Sequence, residues 1–199
     1  VMGLGIMSMN FGDIDITTTE LPEGGIGTYS PQFMNIGLSY AKAFSDNIYG
    51  GLNMKIISES ISDLSARGMA LDAGIQYVTG KYDQVKFGIA LKNVGPRLKF
   101  EGDGLSFKAP LPNVNNGTMT VEQRSEPFEI PSLINIGFGY DFYFASDSAN
   151  RKTHRLTLAG NFTSNSFSKD EIRLGVEYAF KSWLMVRAGY NYEKGITNK

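Results

Sequence analysis

The residue types that usually carry chemistry are scarce in this chain. One histidine and no cysteine occur in 199 residues. There is therefore no thiol nucleophile, no disulfide scaffold and no Cys-type zinc site. Ser39-Tyr40-Ala41-Lys42 matches the S-x-x-K spacing of serine acyl-enzymes, but that chemistry needs the serine at a helix start and a separate K-T-G strand. Here it lies in a strand-like segment, so the match reads as coincidence. Gly137 and Gly139 in "GFGYD" lack the third glycine and the following helix of a dinucleotide loop. They read as glycines on a crowded inward strand face. Asp13, Asp15, Glu20 and Glu23 offer carboxylate oxygens to a hard cation, without EF-hand spacing, and read as a solvated loop. His154 is expected to cap a strand end. Asn116-Gly117-Thr118 is a glycosylation sequon. No nucleophile, base and orienting group occur together, so neither catalysis nor a metal or cofactor is expected.

The elements that carry these residues alternate. The net charge is −1, so no global field recruits nucleic acid or an anionic surface. Apolar and polar residues exchange places at every second position over 33–44, 48–57, 69–78, 85–92, 133–144, 155–163, 171–180 and 183–193, which predicts eight strong strands. A ninth, 1–9, is weaker because both its faces are apolar or glycine. The first residues, "VMGLGIM", show no basic region and no cleavage site, so no signal peptide is read. No stretch reaches the roughly 18 apolar residues of a spanning helix, whereas a barrel strand needs only about 9–11, half of them apolar.

Three features favour a membrane barrel over a soluble sandwich. The segments run about ten residues, longer than the roughly 5–6 of soluble strands. Tyr40, Phe44, Tyr77, Phe142, Phe144, Tyr178, Phe180, Tyr190 and Tyr192 lie near strand ends, where two aromatic girdles belong. The polar face is rich in Gly, Asn, Arg and Glu. On it, Arg173, Glu177 and Arg187 are placed to pair across neighbouring strands. Lys42 is the only charge read on the apolar register, and it sits near a turn. Connections alternate in length, which puts 10–32, 58–68, 93–130 and 164–170 outside. The segment 145–154 is long for an inner turn.

The expected fold is therefore all-β, a transmembrane antiparallel up-and-down barrel in a single domain over 1–199. Bacterial single-chain barrels have an even number of strands. Nine strands, the last one running outward, predict a partial barrel with strands missing at one or both ends. The segment 93–130 is too long to be mere connection. Arg97, Lys99, Phe100, Phe107 and Arg124 in it are the candidate partner-binding residues, since aromatic and basic loop residues hold partners. The same segment is equally suited to fold into the barrel mouth as a plug.

"FGIALKNVGPRLKF", "PFEIPSLINIGFGYDFYF" and "RLGVEYAFKSWLMVRAGYNYE" resemble the PorV/PorQ family of outer-membrane barrels, within the wider FadL-like fatty-acid-transporter group. "IGLSYAKAFSDNIYGGLNMKIISESI" fits the same pattern, and the match runs over most of 30–194. The resemblance implies a barrel of 14 strands, about nine of them present here. It implies a non-enzymatic component of the type IX secretion system in the bacterial outer membrane, long loops facing the exterior. Its implied partners are the large translocon barrel, the C-terminal signal domains of secreted cargo, the cell-surface sortase and attachment complex, and outer-membrane lipid. The family offers no catalytic residue to carry over. The rival readings are a FadL-like channel for hydrophobic small molecules, which would need an apolar lumen, and a soluble β-sandwich adhesin.

Overall fold

A computed structural model describes residues 1–111, 117–144, 153–181 and 183–193. In chain order its strands are β1 (Met2–Asn10), β2 (Ile14–Asp15), β3 (Thr28–Tyr29), β4 (Gln32–Ala43), β5 (Ile48–Ile61), β6 (Leu64–Thr79), β7 (Val85–Val94), β8 (Phe100–Glu101), β9 (Ser106–Pro110), β10 (Thr118–Glu122), β11 (Leu133–Tyr143), β12 (His154–Asn165), β13 (Glu171–Phe180) and β14 (Leu184–Glu193). One large antiparallel sheet runs β1-β4-β5-β6-β7-β11-β12-β13-β14, with β8 added to β6. Its long strands follow one another up and down, and the sheet is not closed: β1 and β14 are its two ends. Among the described residues, β9 pairs only with β10, and β2 only with β3. No helix among the described residues is long and apolar enough to cross a membrane.

The register explains why alternation suffices to build this sheet. Ile36 pairs with Ile56, Ile75 with Ile89, Ile136 with both Ile89 and Phe162, and Ile172 with both Phe162 and Tyr192. Every predicted apolar stripe thus falls on one face. Those side chains are exposed rather than packed: Leu52, Ile75, Leu174 and Val186 each keep more than half of their surface. Aromatics on this face gather at one end, with Tyr40, Tyr77, Phe87, Phe142, Tyr178 and Phe180 near the short turns. Tyr190 and Tyr192 stand toward the other end. Near the short turns the His154 ring lies 5.0 Å from Phe180, and its Nδ1 is 2.7 Å from the Tyr178 hydroxyl.

Two expectations change. The segment 58–68 is not a long outer connection. Ser58 to Ile61 pair with Leu64 to Arg67, leaving a turn at Ser62, whose φ is 49°, and Asp63. Alternation there is carried by serine and glutamate, so the apolar signal fades before the strand ends. Extending β6 also places Arg67 on the apolar register, opposite Ser58. Lys42 is therefore not the only charge there; each lies toward an opposite end of its strand. The long segment 145–154 falls, up to 152, outside the described residues, as does Asn116 of the sequon.

The buried core is small and sits on the opposite, polar face. Ile57, Ala66, Ala70, Leu98 and Ile130 form it, flanked by Phe33, Phe100 and Phe128.

Candidate functional site at the loop end of the sheet

The polar face is held together by charge pairs between neighbouring strands. The Lys86 ammonium donates to Asp141 at 2.7 Å, and the Thr157 hydroxyl donates to the same carboxylate at 2.5 Å. Arg155 and Arg187 both donate to Glu177, each at 2.5 Å. From β7 to β14 the signs run cation, anion, cation, anion, cation. The expected pairing across strands holds for Glu177 and Arg187. Arg173 instead bonds Glu171 on its own strand at 2.5 Å. Between the pairs the face is floored by small residues: Gly51 opposes Gly74, Gly88 opposes Gly137, and Gly175 opposes Gly189. Asp141 is 2% exposed, and charge-assisted bonds compensate for taking its carboxylate out of water.

A second polar cluster organises the long loop. Lys55 pairs with Asp72 at 2.7 Å. Asp72 also accepts from Asn53 Nδ2 at 3.1 Å and from the Asn93 backbone N–H at 2.8 Å. Asn93 has φ 61°, a left-handed conformation that asparagine tolerates better than most residues. It lies where the β6–β7 register shifts between Leu71 and Ala73, a bulge that bends β7 away from its partner. Its side chain accepts from Lys55 and donates to the Pro131 carbonyl at 2.8 Å. One asparagine therefore ties the loop's start to its end.

From that knot the chain folds back over the polar face as a strap. Leu98 and Phe128 exchange two backbone hydrogen bonds of 2.8 Å, and β8 continues the pairing onto Ser65 and Ala66. Leu98, 2% exposed, packs with Ala66 and Ala70. The Phe100 and Phe128 rings stack with centroids 5.3 Å apart. Gly68 and Gly95 permit this approach: a Cβ on Gly68 would overlap Leu98 Cδ2, and one on Gly95 would overlap the Met69 carbonyl. The first part of the loop thus packs on the polar face of the open sheet.

The middle of the loop does the opposite. β9 and β10 form a hairpin that pairs with no other strand among the described residues. Phe107 opposes Val121 and Ala109 opposes Met119 on its apolar face; Ser106, Lys108, Thr120 and Glu122 lie on the other. Phe107 is 52% exposed.

No known protein family, characterised protein or solved structure matches the chain. The site rests on its own geometry.

The candidate residues divide between strap and hairpin. Arg97 is exposed and donates to Glu129 Oε1 from Nη2 at 2.6 Å and from Nε at 3.0 Å. Lys99 stands 3.7 Å from Glu101. Phe100 is half-buried in the strap's stack, so it serves the fold rather than the surface. Phe107 and Arg124 are exposed. Sequence reasoning missed Lys55, Asp72, Asn93 and Leu98. A bulge and a buried loop leucine leave no periodic signal, although Asn93 just before Val94-Gly95 is a turn-prone stretch. Among the described residues, no three metal-ligating side chains converge. Asp13 accepts a hydrogen bond from the Ser30 hydroxyl.

Proposed function

We propose that this chain forms part of a non-enzymatic, PorV-like outer-membrane barrel of the type IX secretion system. It receives the C-terminal signal domain of secreted cargo from the large translocon barrel and passes it to the cell-surface sortase complex. The observation that carries the membrane half of this reading is the division of one long-stranded sheet into two faces. One face exposes aliphatic side chains over its whole middle, with Lys42 and Arg67 confined toward the strand ends. The other holds every interstrand ion pair described above. In water an exposed aliphatic face of this extent marks a contact surface; in hydrocarbon it is the ordinary outside of a barrel, and an Arg there costs about 2–4 kcal/mol at mid-depth. Closure would also satisfy the unpaired edges of β1 and β14, which hydrocarbon cannot hydrogen-bond.

The docking half is supported by the long loop. Its strap is paired to β6, and its hairpin, bearing the exposed Phe107, pairs with no other strand among the described residues. Two measurements test the two halves. Spin labels at 174 and 186 are expected to report lipid, and labels at 173 and 187 water; the reverse pattern ends the barrel reading. Removal of 106–122, which leaves the strap in place, is expected to abolish retention of a cargo C-terminal signal domain by the purified barrel. Unchanged retention removes the hairpin from the site.

One observation favours a channel for hydrophobic small molecules. A trough of about 870 Å³ lies along the sheet, with Gly51, Gly74, Gly88 and Gly137 in its lining. Gln76, Lys86, Asn135 and Asn161 add polar groups to a lining whose surface is mainly apolar, with Phe87, Ile89 and Phe138 among its members. Saturable uptake of a labelled fatty acid into vesicles carrying the protein would support this second reading.

A further inference from the structure

The two outer edges of the β9–β10 hairpin are unequal. At the ends of its ladder, the Gln123 N–H donates to the Leu105 carbonyl and the Leu111 N–H to the Gly117 carbonyl, both at 2.9 Å. Bonded and unbonded pairs alternate in an antiparallel ladder. Residues 107, 109, 119 and 121 therefore point their backbone groups at each other, and 106, 108, 110, 118, 120 and 122 point theirs outward. On β9 the outward positions are Ser106, Lys108 and Pro110. Proline has no N–H to offer and lysine carries a charge, two devices that blunt an exposed edge. On β10 they are Thr118, Thr120 and Glu122, each with both donor and acceptor. The two threonines are β-branched and favour extension. No strand among the described residues pairs with that edge, and none of their charged groups pairs with Glu122 within 4 Å.

We infer that the outer edge of β10 is a strand-addition site for an extended segment of the cargo's C-terminal β-domain. That segment has apolar residues toward Met119 and Val121 and a Lys or Arg opposite Glu122. The inference rests on the cargo-docking reading above. Strand addition takes its affinity from main-chain bonds and its specificity from alternate side chains, and this edge supplies both. A cation is the complement to the acid left unpaired at its end. A second copy of this chain is the poorer occupant. Antiparallel self-pairing about Thr120 would set Glu122 opposite Thr118, which offers it no cation. The occupant is therefore a partner that also touches the neighbouring rim, where Phe107 and Arg124 are exposed.

The test uses the detergent-purified full chain and a purified C-terminal signal domain of a type IX substrate from the same organism. Thr120→Pro removes an outward donor and leaves the internal ladder intact. Lys108→Pro does the same on the blunted edge and serves as the control. Thr120→Pro is expected to weaken binding about tenfold, on the scale of a lost hydrogen bond and its steric penalty. Glu122→Lys weakens it by less, and Lys108→Pro leaves it within about twofold. Equal binding by wild type and Thr120→Pro overturns the edge inference while the docking reading survives. No binding by wild type overturns the docking reading, and the edge inference with it. Thr120→Cys, in a chain with no other cysteine, separates the remaining occupant: a disulfide-linked dimer in the absence of cargo would mean that β10 is covered by a second copy, against the inference.

Discussion

The strap at 95–101 and the hairpin at 106–122 belong to one connection and behave as opposites. The strap is held by backbone pairing to Phe128 and β6, by a buried leucine, and by an asparagine that grips both ends of the connection. Among the described residues, the hairpin's strands pair only with each other. Burial separates them: Leu98 is 2% exposed and Phe107 52%. The strap rests on the polar face of the sheet, where small residues leave room for it.

Substitutions that act on one half and spare the other sharpen this contrast. Leu98→Ala is expected to have the largest effect, about 3 kcal/mol of local stability, because a fully buried leucine leaves a cavity. Hydrogen exchange at the Leu98 and Phe128 amides, which bond each other, reads that loss directly. If those amides stay equally protected, Leu98 is not the anchor. Gly68→Val should follow at about 2 kcal/mol by overpacking, displacing Leu98 and opening Arg97 and Lys99 to trypsin. Asn93→Ala removes the knot's side-chain bonds and strains a left-handed residue, for about 1.5 kcal/mol. Asn93→Gly keeps the conformation and should cost less, and urea titration of the pair separates the two causes. Phe107→Ser is expected to change stability by no more than about 0.5 kcal/mol while reducing cargo retention. A large loss of stability there would show that the hairpin's apolar face is packed, not presented.

Much of the main sheet is legible in the sequence because a period of two is a local property. Ile134, Ile136 and Phe138 announce their shared face without any knowledge of Ile89 or Phe162 across the ladder. The same rule fails where polar residues continue a strand: Ser58, Glu59 and Ser60 remain in β5 though they look like a loop. It fails again at Arg67, whose face becomes defined only when β6 is extended back to Leu64. Composition alone could not tell Phe100, stacked against Phe128, from Phe107, left in solvent.

The amino-acid order by itself determined which side chains share a face, since alternation needs only neighbouring residues and the pleat. Tertiary structure decided which charges meet, that Asn93 holds both ends of a connection, that Leu98 lies on the polar face, and which hairpin edge stays open. Those outcomes depend on register between segments tens of residues apart. A shift by one position would exchange every inward group for an outward one.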